Sequence, residues 1–137
     1  MNLRHYRYWF YAAAIYNLIW GTLNIVFPTL VFQMLGMPPP NYLPLWQVVG
    51  MFVLAYAPAY WWAARYPDRH PQLILIGLLG KILGPLGFFW SAITGNLPWS
   101  FGWTIITNDL IWLPAFILYL STMSETRGGI IGILRGE

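Results

Sequence analysis

Residues 72–93 read QLILIGLLGKILGPLGFFWSAI and contain a single charged side chain, that of Lys81. A transmembrane helix needs about 20 consecutive, mostly apolar residues to cross the hydrocarbon core of a bilayer. A strand of a membrane barrel is only about half as long, and its polar and apolar residues alternate. The stretch therefore predicts a helix that spans a membrane.

Three further stretches of the same kind accompany it. Short segments rich in proline and other turn-forming residues separate them. The four predicted spans cover about residues 9–34, 43–64, 72–93 and 101–121, and a short tail follows at 122–137. Four spans joined by short loops predict an all-α fold: an integral membrane four-helix bundle with antiparallel consecutive helices. Residues 1–137 then form a single transmembrane domain.

The composition excludes several other classes of protein. Charged residues make up 8 % of the chain and hydrophobic residues 58 %, whereas a soluble domain has roughly 25 % charged residues. The apolar content excludes a disordered chain. The absence of cysteine excludes disulfide scaffolds and iron–sulfur clusters. The two histidines, His5 and His70, flank the spans, so we expect no metal site and no cofactor.

The arginines predict the orientation in the membrane. All of them precede the first span, lie between the second and third, or follow the fourth: Arg4, Arg7, Arg65, Arg69, Arg127 and Arg135. The other two loops contain neither lysine nor arginine, so the positive-inside rule places both termini in the cytoplasm. This asymmetry fits a bacterial inner membrane. It is better explained by topology and anionic lipid headgroups than by nucleic acid, which we do not expect as a partner.

Two charged side chains lie inside the predicted spans. Counted at 1.5 Å per residue, Lys81 lies about 13 Å and Asp109 about 18 Å from the cytoplasmic edge. A charge at this depth is costly, faces the interior of the bundle and usually has a partner. Because the third and fourth spans are joined by a short loop, we expect Lys81 and Asp109 to form a pair near the midplane.

Further polar groups fall at similar depths and need hydrogen-bond partners that lipid does not supply. Together with Lys81 and Asp109 they predict a polar core that contains Asn17, Asn24, Gln47 and Asn108. Tyr56 and Tyr60 are expected to line the cytoplasmic half of this core. Trp112, three positions after Asp109, is expected to cover the lysine through a cation–π contact.

The backbone is expected to be irregular around this core. Gly80 and Gly84 predict a close approach of another helix. A proline interrupts each span and predicts a kink: Pro28, Pro58, Pro85 and Pro114. The tail segment 128–134 is too short to span a membrane and too rich in glycine for a firm helix, so we expect it to lie on the cytoplasmic surface.

Part of the chain resembles the DoxX-like small four-helix membrane proteins. The shared features are a first span that ends near a proline (Asn24 to Pro28), an uncharged outer loop (Gly36 to Pro44), and a second span that begins near Gln47 and Gly50. The resemblance covers about half of the chain at the level of hydropathy. It implies a fold more than an activity.

These features support three hypotheses about function. In the first, the polar core binds a hydrophobic or amphipathic small molecule such as a lipid, an isoprenoid or a quinone-like compound. Any acid–base chemistry there falls to Lys81 and Asp109. In the second, the protein is a non-catalytic accessory subunit or a homo-oligomeric component of a larger membrane complex. In the third, it is an oligomeric proton-coupled transporter.

Overall fold

A computed structural model of the chain describes residues 2–136. About 80 % of the structure is helical, and residues 2–136 contain no β-strand, which confirms the all-α class. The α-helices are α1 (Arg4–Val26), α2 (Leu30–Met34), α3 (Leu43–Arg65), α4 (Pro71–Ile93), α5 (Gly102–Asn108), α6 (Leu113–Thr126) and α7 (Gly129–Arg135). Short 3-10 turns at Trp99–Phe101 and Leu110–Trp112 precede α5 and α6.

Three helical segments are long and apolar enough to cross a membrane. They are α3, α4 and the segment Trp99–Thr126, which contains α5 and α6. Helix α1 has the same length as α3. Its asparagines, tyrosines and arginines make it less apolar than the other three, so the length and composition of the described helices support three spans.

The first and fourth predicted spans are not single helices. The first is divided into α1 and α2 at residues 27–29, around Pro28. The fourth is interrupted at Asp109, whose φ of −121° and ψ of −62° lie outside the helical region. Helix α6 then starts with Pro114 in its first turn, where the missing N–H of a proline costs nothing. Pro58 and Pro85, in contrast, lie inside the unbroken helices α3 and α4.

The closest helix packing joins α1 to α3. A Cβ atom on Gly21 would lie 2.7 Å from the carbonyl oxygen of Gly50, so the two backbones are nearly in contact. The prediction that Gly80 and Gly84 let another helix approach α4 closely is wrong. At Gly80 a Cβ atom would meet only the Tyr56 hydroxyl, at 3.9 Å, and the space at Gly84 is occupied by a side chain rather than a helix.

The prediction that the tail forms no firm helix is also wrong, because residues 129–135 form helix α7. Its place on the cytoplasmic surface stays a prediction. Gly128 has a φ of +70° and provides the turn that reverses the chain before α7. Ile133 is fully buried against the bundle, and the side-chain amide of Gln72 donates to its carbonyl oxygen at 2.9 Å. Tertiary packing thus compensates for the low helix propensity of the glycines.

The best-packed part of the interior is an aromatic core made of Phe10, Tyr60, Phe116 and Tyr119, all fully or almost fully buried. Their rings meet edge to face, with centroids 4.9 Å apart for Phe10 and Tyr119 and 5.2 Å apart for Tyr60 and Phe116. The Tyr119 hydroxyl donates to the carbonyl of Pro67 at 2.5 Å. This core joins α1, α3 and α6 at the end of the bundle where the arginines are found.

The arginine end is tied together by side chain to backbone contacts. Arg7 Nε donates to the carbonyl of Ala64 at 2.9 Å, and Arg127 donates to the carbonyl of Asp68. The carbonyl of Ala64 lies in the last turn of α3, where carbonyls lack intrahelical partners, and that of Asp68 lies in the connection between α3 and α4. The N-terminus of α1, the C-terminus of α6 and the α3–α4 connection therefore lie at one end of the molecule.

Candidate ligand-binding site

A cavity of about 210 Å³ lies beside the aromatic core. Helices α1, α3 and α4 and the break between α5 and α6 enclose it. Six of the nine residues predicted from the sequence to form or surround the polar core line this cavity: Asn17, Tyr56, Tyr60, Lys81, Asn108 and Asp109. Residues that are far apart in sequence are thus brought to one polar site within an apolar bundle.

The other predicted amides, Asn24 and Gln47, lie outside the cavity. Asn24 Oδ1 accepts a hydrogen bond from Trp46 Nε1 at 2.7 Å, and Gln47 Nε2 donates to the carbonyl of Ile25 at 2.9 Å. Both side chains therefore serve the contact between α1 and α3. Their predicted place in the polar core is wrong, because the close packing of these two helices provides partners for them locally.

Lys81 is only 4 % exposed. Its ammonium nitrogen donates to the main-chain carbonyl of Asn108 at 2.6 Å. It also lies 5.6 Å from the ring centroid of Tyr60, 5.9 Å from that of Trp112 and 5.7 Å from that of Phe116. Trp112 makes the predicted cation–π contact from behind the lysine rather than from the cavity wall. The ammonium is thus held by three aromatic rings and by one main-chain carbonyl.

The break in the fourth span creates this carbonyl acceptor. In a regular helix the amide of Trp112 would bond the carbonyl of Asn108, but here it bonds the carbonyl of Asp109 at 3.2 Å. The Asn108 carbonyl is therefore available to Lys81. A direct ion pair between Lys81 and Asp109 is not found among the residues that the structure describes, and the main chain of Asn108 lies between the two charges.

The Asp109 carboxylate is also 4 % exposed and has a defined position. Its Oδ1 accepts from the side-chain amide of Asn108 at 3.1 Å. Its Oδ2 occupies the space beside Gly84, where an added Cβ atom would lie 2.5 Å away. Gly84 in α4 therefore makes room for the carboxylate.

Two buried polar atoms of residues that line the cavity lack partners. Within residues 2–136, the buried side-chain oxygens without a hydrogen bond are Oδ1 of Asn17 and Oδ1 of Asn108. Asn17 Nδ2 donates to the carbonyl of Val53 at 3.0 Å, and Asn108 Nδ2 donates to the Asp109 carboxylate. Because both partners can only accept, these bonds fix which atom of each amide is the oxygen. Unpartnered buried acceptors are uncommon and require a donor from a bound molecule or water.

The cavity opens sideways between α3 and α4. Val49 is 46 % and Phe52 66 % exposed on the α3 side, and Gly80 is exposed on the α4 side. Deeper in, Gly77 leaves space for the ring of Tyr60, whose hydroxyl would lie 2.6 Å from an added Cβ atom. Both bordering helices are long and apolar enough to cross a membrane, and the opening lies on the side of the bundle between them rather than at either end.

The sequence analysis missed the apolar wall of the cavity on α3. Val49, Phe52 and Val53 precede Tyr56 by seven, four and three positions, which places all of them on one helical face. Once Tyr56 was predicted to face the polar core, the helical periodicity could have predicted that these three residues lie on the same face.

Outside the spans, Tyr66 marks the arginine end. Arg65 Nε donates to its hydroxyl at 3.3 Å, and the Arg69 guanidinium lies 5.3 Å from its ring centroid. The hydrogen bond from Arg65, followed by the positive charge of the same residue, lowers the pKa of the Tyr66 hydroxyl. This group is exposed and lies away from the cavity.

No protein-family profile matches the sequence, and neither a curated protein nor a solved structure is significantly similar to it. The DoxX-like resemblance therefore stays a prediction. The function must be inferred from the residues and geometry of the cavity.

Proposed function

We propose that the protein is a membrane protein that binds a hydrophobic or amphipathic small molecule, such as a lipid, an isoprenoid or a quinone-like compound. The polar head of the ligand enters the cavity beside Lys81, and its apolar part stays outside it. The observation that carries the proposal is the set of unused polar atoms in a cavity with a lateral opening.

The hydrogen-bonding capacity of the site supports this function. A lysine ammonium has three N–H donors, and Lys81 gives one of them to a protein carbonyl. The remaining donors and the free oxygens of Asn17 and Asn108 can each bind a ligand atom. A site that only held helices together would satisfy these groups internally, since unpaired polar groups are costly in an apolar environment.

The size of the cavity limits what enters it. Pockets that enclose a whole drug-sized ligand measure about 300–1,000 Å³, whereas this one measures about 210 Å³. It can hold a small head group, and the rest of an amphipathic ligand must extend through the opening between α3 and α4.

The proposed orientation follows the arginines. We take α1 as a fourth span that packs along α3, with both termini and the α3–α4 connection in the cytoplasm. The contacts of Arg7 and Arg127 with the backbone of Ala64 and Asp68 support a common arginine end. A bacterial inner membrane fits this arrangement.

The test is native mass spectrometry of the protein released gently from its own membrane. We expect a bound molecule of defined mass on the wild type that is lost in Lys81→Met. The neighbouring change Ile82→Met is the control, since Ile82 is exposed to lipid and lies outside the cavity. Ile82→Met should retain the adduct.

A second variant separates loss of the site from loss of the fold. Lys81→Met leaves the buried Asp109 carboxylate without a nearby cation, so Lys81→Met combined with Asp109→Asn keeps the site neutral. A wild type without a small molecule, or an adduct kept by the folded double variant, would overturn the proposal. Wild type found only with protein partners would favour the accessory-subunit hypothesis instead.

A further inference from the structure

We infer, on the basis of the proposed function, that the ligand is an uncharged lipid with a hydroxyl-bearing head group. Its head lies against Lys81, Asn17 and Asn108. Its apolar chain lies in a second, apolar groove along α3, on the side away from the arginine end.

The charge of the cavity selects against ionic head groups. Its lining contains one ammonium, that of Lys81, and one carboxylate, that of Asp109, and both are 4 % exposed. An anionic head would bring an extra negative charge close to Asp109, and a cationic head would meet Lys81. A net charge in a site surrounded by lipid is costly, so a neutral head group is the best match.

The unused polar atoms require both donors and acceptors on the ligand. Lys81 offers N–H groups, which need an acceptor such as an ester carbonyl or a hydroxyl oxygen. The Asn17 and Asn108 oxygens need donors, and an uncharged lipid supplies donors as hydroxyl groups. A lipid ester without a hydroxyl would satisfy the lysine and leave both asparagine oxygens unpaired.

The second groove measures about 470 Å³ and adjoins the polar cavity at Val49, which lines both. Phe32, Tyr42, Leu45, Trp46 and Phe101 form most of its wall. From Val49 to Tyr42 it extends for about 10 Å along α3. An apolar channel that begins where the head-group site ends fits the hydrocarbon chain of the same molecule.

The head group is tested with a series of ligands that share one oleoyl chain. The probes are glycerol monooleate, methyl oleate, oleate and oleoyl lysophosphatidate, and binding to the purified protein is measured by native mass spectrometry at matched concentrations. We expect glycerol monooleate to bind about tenfold more tightly than methyl oleate, because glycerol monooleate has hydroxyl donors for the asparagines and methyl oleate has none. The two anionic probes should bind no better than methyl oleate.

The position of the chain is tested at the junction of the two sites. In the wild type, shortening the chain of the monoacylglycerol from oleoyl to octanoyl should lower the affinity. Val49→Trp fills the junction and should largely remove this dependence on chain length. Leu79→Trp is the control, since Leu79 is exposed on α4 and lines neither site, and it should behave like the wild type.

The outcomes distinguish this inference from the proposed function. Tightest binding of oleate or lysophosphatidate, abolished by Lys81→Met, would overturn the neutral head group and leave a ligand site in place. Unchanged chain-length dependence in Val49→Trp would overturn the position of the chain. Binding of every probe equally by wild type and Lys81→Met would overturn both proposals. Geranylgeraniol, an isoprenoid alcohol, tests which class of lipid carries the hydroxyl group. If it binds more tightly than glycerol monooleate, the result supports an isoprenoid alcohol as the ligand.

Discussion

The aromatic core and the polar cavity lie side by side in one bundle and are built in opposite ways. In the core, Phe10, Tyr60, Phe116 and Tyr119 fill the space between three helices with ring-to-ring contacts. At the cavity, the surrounding helices leave about 210 Å³ unfilled, and two side-chain oxygens of the lining residues have no hydrogen-bond partner. Lys81 lies at the boundary, with rings of the core on one side of its ammonium.

This contrast assigns different tasks to the two regions. Lipid is as apolar as a protein interior, so packing rather than the hydrophobic effect holds membrane helices together. The dense core provides that packing at the arginine end. It can therefore compensate for the break at Asp109 and for the unfilled space beside it, both of which weaken the bundle and are what the proposed binding function needs.

The largest effect should come from truncating the core. Phe10→Ala leaves a void among Phe116, Tyr119 and Tyr6, and we expect a loss of about 3 kcal/mol in the free energy of unfolding. Phe52→Ala makes the same change at the mouth of the cavity, where the side chain is 66 % exposed. It should cost less than about 1 kcal/mol. Unfolding in mixed detergent measures both, and equal losses would contradict the division into two regions.

The next effect concerns the contact between α1 and α3. Gly21→Ala places a methyl group 2.7 Å from the Gly50 carbonyl oxygen, so the helices must separate. We expect a destabilisation of about 2 kcal/mol. Gly87→Ala is the matched control, because an added Cβ atom there meets nothing within 4 Å. Thermal unfolding in detergent should show a lower midpoint for Gly21→Ala and an unchanged midpoint for Gly87→Ala. A wild-type midpoint for Gly21→Ala would show that the close α1–α3 contact does not determine the stability of the bundle.

The third prediction concerns Gly84, which makes room for the Asp109 carboxylate at the proposed ligand site. Gly84→Ala displaces the Asp109 carboxylate, and with it the amide of Asn108 that the carboxylate accepts from. We expect the bound molecule to be retained about tenfold less well, as for the loss of one hydrogen bond to a charged group. Gly87→Ala, about one turn away in α4, lies outside the cavity, and its added Cβ atom meets nothing within 4 Å, so it should bind normally. A binding assay by native mass spectrometry compares the two, and equal retention would argue that Asp109 does not position the site.

Hydropathy and the lengths of the apolar stretches were enough to predict the helical class, because it follows from local chain properties. They did not predict where polar side chains would find partners. Asn24 and Gln47 have the same amide chemistry as Asn17, yet the Gly21–Gly50 contact places them between two closely packed helices. Lys81 has its carbonyl acceptor because one helical hydrogen bond is missing at Asn108. Neither the amino-acid composition nor the helical periodicity of the sequence predicts this break.

The smallest effect should appear at α7, where the sequence indicated no firm helix. Its glycines give little intrinsic stability, so the burial of Ile133 and the bond from Gln72 to its carbonyl hold the helix in place. Gln72→Leu removes that bond and should cost about 1 kcal/mol, confined to α7. Hydrogen exchange followed by mass spectrometry should show about fivefold faster exchange of residues 129–135 and unchanged exchange in α3.

The control is Gln33→Leu, which changes an exposed glutamine on α2 and should leave the exchange of α7 unchanged. Faster exchange throughout the bundle would mean that α7 is part of its cooperative core, and unchanged exchange would mean that Ile133 alone anchors it.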